Sequence, residues 1–384
     1  MREYELRVID SLGDIAAPVW DHLAAGNPTL RHAFLQGMIE AGCTTAASGW
    51  LPQFLTLWRE IEGRQRLVGA VPLYMKGHSY GEYVFDWSWA EAYQRAGLDY
   101  YPKLLAAVPF TPCSGARLMA HTDADRQLLV EGLLAIAKQS DVSSLHVLFP
   151  TEAEHRLLIA AGMMARTAVQ FHWRNATSAE GGYANFDAFL ATMSHDKRKK
   201  IKQERRKVAD AGITLIRKVG RDISSADWDF FTDVYTRTYQ AHYSTPYLNR
   251  DFFGLIGERM PENILLVVAA RAGRQIAASL NLFNDTTLFG RYWGCTEFQS
   301  GLHFETCYYQ TLEFCIERGL QTFEGGAQGE HKLARGFLPV KCHSAHWLKE
   351  PRFAKAVDDF LQREGGGIER YVDELNEHKP FKDA

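Results

Sequence analysis

RQIAASLNLF (residues 274–283) reads as a strand: branched and small apolar residues entered from the turn pair Ala272-Gly273. The same order of residue types, basic, branched apolar, two small residues and then apolar, occurs in RLVGAVPLY (residues 66–74), entered from Glu62-Gly63. Each stretch is followed later by a helix and a short strand. The helices are DRQLLVEGLLAIAKQ (125–139) and HFETCYYQTLEFCIERG (303–319), and the strands are SLHVLF (144–149) and LQTFEG (320–325). A mixed pattern that occurs twice predicts two related α/β domains, each a mixed sheet flanked by helices. At 384 residues the chain also exceeds what one hydrophobic core usually organises.

The expected boundary lies in WRNATSAEGG (173–182), where turn residues break the apolar periodicity. This gives an N-terminal domain of residues 1–175 and a C-terminal domain of residues 176–384. After the boundary come a short helix (186–193), a basic helix (195–209) and the strand ITLIRKV. An amphipathic helix over 227–243 follows, whose Phe230, Val234 and Arg237 positions suggest a core-facing side.

With 46% hydrophobic and 23% charged residues, the composition is that of a folded rather than a disordered chain. The start, MREYELRVID, carries early charges and lacks a signal-peptide run, and no uncharged stretch is long enough to span a bilayer, so the expectation is a cytoplasmic protein. Six scattered cysteines without CxxC spacing imply neither a zinc site nor a disulfide framework. No metal and no tightly bound cofactor are expected.

Charge is uneven. HDKRKKIKQERRK (195–207) holds eight Lys/Arg against Asp196 and Glu204, a local +6 that leaves −9 for the rest of a chain of net −3. Ile201 and Val208 share one helical face, while Arg198, Lys202 and Arg205 follow i, i+4, i+7 on another, with Ser194 or Asp196 as cap. Such a helix either joins two halves as a solvated element or docks phosphates of a polyanion such as RNA. In the first half, KGHSYGEYVFDWSWAEAY (76–93) and YYPKLLAAVPFTPCSGARL (100–118) are aromatic and proline-rich loops. They carry His78, Glu82, Lys103 and Arg117, which together suggest the rim of a cleft.

Five long stretches carry a family resemblance: HSYGEYVFDW, YYPKLLAAVPFTP, HDKRKKIKQERRK, YWGCTEFQSGLHFETCYYQ and FEGGAQGEHKLARGF. Together they resemble the bacterial FemAB-like proteins of peptidoglycan biosynthesis or recognition, a branch of the GNAT acyltransferase superfamily. The resemblance spans nearly the whole chain and implies tandem GNAT-like domains. It also implies transfer of an acyl or aminoacyl group to an amine, mostly in the second domain, with the first supplying part of the acceptor site. Acyl-CoA and aminoacyl-tRNA are both implied as donor co-substrates, and a small-molecule or peptide amine as acceptor. A non-catalytic module that binds peptidoglycan precursor or RNA is the alternative.

The residues are weighed against that chemistry. Acyl transfer to an amine needs a polarised carbonyl, a neutral amine and a place for developing negative charge. An RxxGxG/A pyrophosphate loop is missing; QSGLHFE (299–305) is one glycine short of it, with Gly301 offered to an anion, and QRAGLDY (94–100) is weaker. Glu324 closes a predicted strand before Gly325 and Gly326, and His331 titrates near neutrality, so either is a candidate base. Lys332 and Arg335, at i, i+3, could face one phosphate or carboxylate, flanked by Gln328 and Glu330. The neighbouring motifs add His303, Glu305 and Tyr308, and GRYWGC adds Arg291 and Trp293. His242 ends a helix before a proline-containing loop.

Overall fold

The computed structural model describes residues 4–175, 181–327 and 329–382, with the Glu330 side chain outside the description. The chain forms two compact units: Met1–Ala168 with Lys341–Arg370, and Val169–Val340 with Tyr371–Ala384. A single division at 175/176 makes no provision for the return of residues 341–370 to the first unit. That return is fixed by strand pairing, since residues 344–348 run antiparallel to Ser144–Leu148. Residues 176–180 of WRNATSAEGG lie outside the described residues.

In the first unit, strands Phe54–Ile61 and Arg64–Val71 form a hairpin about Glu62 (φ 54) and Gly63 (φ 73). Positive φ at both central residues matches the right-handed twist of the flanking strands. Glu5–Ile9 and Met119–Ala120 complete a four-stranded sheet. The strand expected over 66–74 is two strands. Pro72 has no N–H to continue the ladder, so Leu73–Lys76 leaves to pair with Trp50–Pro52 and Lys103–Ala106. Lys103–Ala106 then runs parallel to Ser144–Leu148, joined by the crossover helix Asp123–Gln139.

The second unit repeats the plan. Ile264–Arg271 and Arg274–Phe283 form a hairpin about Ala272 (φ 50) and Gly273 (φ 77). Around it the strand order is Ile213–Val219, Ile264–Arg271, Arg274–Phe283, Thr287–Cys295, Thr322–Glu324 and then residues 172–174. Thr287–Cys295 and Thr322–Glu324 are parallel, and residues 302–318 cross between them. The two units therefore share one mixed α/β architecture.

The crossover is not one regular helix. Leu302–Phe304 is α-helical, Glu305–Tyr309 is a π turn, and Gln310–Arg318 is α-helical again. The Ser279 hydroxyl donates to the Thr306 carbonyl at 3.0 Å, supporting the widened turn from the sheet beneath. Widened turns of this kind concentrate at functional sites. The basic helix, His195–Asp210, is anchored by the buried Ile201 and Val208, each contributing about 1.5–3 kcal/mol. Its Ser194 cap makes no side-chain hydrogen bond. In Ser225–Ala241 the buried apolar side chains are Trp228, Phe231, Val234 and Tyr235. The apolar face is thus one residue out of phase with the expected Phe230 and Arg237, of which Arg237 is exposed and paired to Asp233.

Candidate active site

Parallel pairing of the second unit's central strands runs Thr287 to Thr322, Leu288 to Phe323 and Phe289 to Glu324, and ends there. On the other flank of Thr287–Cys295 the register shifts, with Tyr292 facing Leu280 but Gly290 facing Asn281, so Arg291 is the extra residue of a bulge. Pairing stops where a glycine is required. A Cβ on Gly325 would lie 2.8 Å from the Phe171 carbonyl oxygen, because Gly325 N–H donates to that oxygen at 2.9 Å. Glu324, half-buried, stands at this strand end opposite His172.

The same unit gathers His303, Phe304, Tyr308, His331 and Trp293. The His303 ring centroid is 5.0 Å from Trp293, 5.5 Å from Tyr308 and 6.3 Å from His331. The Tyr308 hydroxyl is 3.4 Å from His331 Nε2. Burial holds the His303 imidazole down to about 4, aided by the nearby His331, Arg335 and Lys332. His331 is also lowered, by burial and then by Lys332 and Arg335. Both rings are therefore neutral at pH 7, and His331 is exposed enough to meet a substrate.

Lys332 follows on a short 3-10 turn, Glu330–Arg335. It is 5% exposed, and its Nζ donates to the carbonyls of Ala327 (2.9 Å) and Gly326 (3.3 Å). Burial lowers its ammonium to about 8. Among the described residues it forms no ion pair. His172, on the adjoining strand, is buried, donates its Nε2–H to Gln170 Oε1 at 3.1 Å, and is pushed to about 3 by burial and by Arg174 and Lys332. Sequence reasoning missed His172; only the strand register reveals that it faces Glu324.

Several expected ligand-binding residues serve other roles. Arg335 is buried, forks onto Glu204 with two 2.8 Å bonds, donates to Tyr309 Oη at 3.0 Å and to the His331 carbonyl at 2.7 Å, and lies 3.4 Å over Phe304. Its charge is neutralised internally. Arg205 likewise pairs with Glu305 (3.1 Å) and Glu313 (2.6 Å), which withdraws both Arg205 and Glu305 from ligand binding. Gly301 (φ 85) starts the crossover helix, but the Glu204 carbonyl oxygen would lie 3.1 Å from a Cβ there, an unsuitable neighbour for an anion. Lys202 meets Asp187 at 3.4 Å on the surface, and Arg198 lies in a shallow groove with His195 and Arg206. Arg291 turns to Tyr292, donating to its hydroxyl at 3.0 Å. His242 is exposed at the end of Ser225–Ala241, outside the ring cluster. Gln328 lies outside the described residues.

In the first unit, the expected rim is interior. Lys103 Nζ donates to Ser79 Oγ and Glu82 Oε2, both at 2.8 Å, and pairs with Asp86. The Tyr100 hydroxyl donates to Asp86 at 2.7 Å and contacts His146 at 3.2 Å, and His146 Nδ1 meets His346 Nδ1 at 2.7 Å. Beside them Lys76 is lowered to about 7 and Glu82 raised to about 7, burial dominating both. Arg117 is fully buried and donates to the carbonyls of Cys113 (2.7 Å) and Leu148 (2.8 Å). His78 is half-buried and accepts the Tyr80 N–H at 3.2 Å.

Comparison with known proteins follows the fold. The FemAB-like family, described as peptidoglycan biosynthesis/recognition, matches residues 11–383. No curated protein sequence matches. Among solved structures, FemX is similar at TM-score 0.51 and 9% identity, over 83% of this chain and 93% of that one. The C-terminal domain assigned to a lysylphosphatidylglycerol synthetase from Agrobacterium fabrum is similar at 0.50 and 9%, over 89% and 94%. A conserved protein of unknown function from Bacteroides thetaiotaomicron is similar at 0.52 and 10%, over 90% and 100%. At these identities the likeness concerns the fold.

Proposed function

The chain belongs to the FemAB-like family and is an acyltransferase by class; from that premise we propose that it passes an activated acyl or aminoacyl group to a substrate amine at His331 and Lys332, with Glu324 at the strand end as the other candidate base. The amine nitrogen attacks the donor carbonyl carbon, the bond to the leaving sulfur or oxygen breaks, and the proton lost by nitrogen goes to His331 or Glu324. A neutral imidazole suits that step, and the depressed His331 supplies one at pH 7.

The observation that carries this reading is the buried Lys332 ammonium. An ammonium has three donors, and two are taken by the Gly326 and Ala327 carbonyls. The third is left for the oxygen on which negative charge develops, in a site dry enough for one donor to matter. The family description favours an amine of a cell-wall precursor as acceptor. Acyl-CoA and aminoacyl-tRNA are the donors to compare. Incubation of the protein with each donor and a peptidoglycan-precursor peptide, with products resolved by mass, tests the proposal. An acylated amine supports it; salt-sensitive RNA binding without product supports a binding module instead.

A further inference from the structure

The basic helix is not used up by the site. Its inner face is committed, through Ile201, Val208, Glu204 and Arg205. Its outer face carries Lys199, Lys200, Arg206 and Lys207, with Arg198 at its edge, and none of these five forms an ion pair among the described residues. Like charges one turn apart, as at Arg198, Lys202 and Arg206, oppose helix formation unless anions cover them. Of the carboxylates at this helix, Asp196 lies 3.2 Å from His195, Asp187 pairs with Lys202, and Asp210 stands at the helix end.

A second feature adjoins it. Phe298 is 91% exposed, in the loop that ends at Gly301. Gly301 packs on the basic helix at Glu204 and Val208. The exposure is not that of a loose loop, because Arg271 holds both neighbours of Phe298, Glu297 at 3.1 Å and Gln299 at 2.8 Å. A phenyl ring is thus held in water three residues from Gly301, whose backbone lies on the basic helix.

We propose that the outer face of His195–Asp210, with Phe298 beside it, docks the protein on an anionic lipid bilayer. Cations next to an exposed ring fit a surface of negative headgroups over hydrocarbon. Lysines make up three of these five cations, and they act as hydrated point charges suited to a diffuse headgroup layer. Arg205 and Arg335, whose forks would suit discrete phosphates, are both held internally. One aromatic ring also falls short of the row of stacking platforms that favours a nucleic acid strand. The docking is independent of the transfer reaction, so failure of either leaves the other standing.

Co-sedimentation of the full-length protein with phosphatidylcholine vesicles, with and without phosphatidylglycerol, tests it. Binding is expected only with phosphatidylglycerol and is expected to fall as salt rises. Lys199→Glu with Arg206→Glu should weaken binding about thirtyfold or more, at about fivefold per basic charge near the surface. Phe298→Ser should weaken it by a smaller, salt-insensitive factor. Circular dichroism and thermal unfolding of these surface variants establish that they fold. Equal binding to both vesicle types, or wild-type binding by the charge-reversed variant, overturns the proposal. Binding of single-stranded RNA in place of the vesicles overturns it as well.

Discussion

The two units bury charge in opposite ways. In the first, Lys103, Glu82 and Asp86 answer one another with side chains at most 4% exposed, and the hydrogen-bonded chain continues through Tyr100 to His146 and His346. In the second, the Arg335–Glu204 pair is also largely closed, but beside it Lys332 meets only carbonyl oxygens among the described residues, and the His331 ring reaches solvent. One architecture supports both arrangements. A closed network holds loops together and has no donor to spare, whereas a buried cation without a counter-charge is electrostatically costly and therefore points to chemistry.

The sharpest way to break this contrast is to remove Lys103. Lys103→Ala leaves Glu82 and Asp86 buried without their cation and should cost about 3–5 kcal/mol in urea unfolding; a loss under about 1 kcal/mol would mean that the network is not structural. Lys332→Ala should behave in the reverse sense. Stability should be unchanged or raised, because burial already opposes that ammonium, while turnover should fall about 10²- to 10³-fold, as for loss of one charge-stabilising donor.

Titration separates the two regions further. If transfer needs protonated Lys332, activity should decline as pH rises through about 8, and Lys332→Arg, which keeps its charge, should lose that alkaline limb even if its rate is lower. Stability should fall on the acid side. His146 and His172, each held to about 3, and His303, held to about 4, stay neutral when folded, while the unfolded chain takes up protons below about 6.5. Their contribution is complete above that pH and is lost as pH falls, by about 1.4 kcal/mol per unit for each histidine, measurable as a drop in unfolding free energy. The smallest effect belongs to the surface: Lys202→Ala removes an exposed pair with Asp187 and should change stability by less than about 0.5 kcal/mol in the same unfolding measurement.

Local pattern made much of the fold legible. Arg274–Phe283 and Ile213–Val219 match the strands read from their residues, and both hairpin turns sit where the sequence puts glycine. Of the site, the Trp293, His303, Tyr308 and His331 grouping was legible, because those residues fall in two dense aromatic and charged motifs. Charge partners were not. Arg335 and Glu204 are 131 residues apart and Arg205 and Glu305 are 100 apart, so nothing in the local spacing of either motif marks those arginines as already neutralised. Lys103 misled for a related reason: a lysine in an aromatic loop suggests a rim until Glu82 and Asp86 are seen to enclose it. The π turn at Glu305–Tyr309 also escaped, since the serine that bonds it lies on a strand distant in sequence.

The central claim is that Lys332 stabilises charge during transfer to an amine. Its most direct test is a mass-resolved assay of wild type and Lys332→Ala with acyl-CoA and with aminoacyl-tRNA, using a peptidoglycan-precursor peptide as acceptor. Acylated peptide from the wild type with one of the donors, and about 10²- to 10³-fold less from a folded Lys332→Ala, is the predicted result. Transfer by Lys332→Ala at the wild-type rate would contradict it.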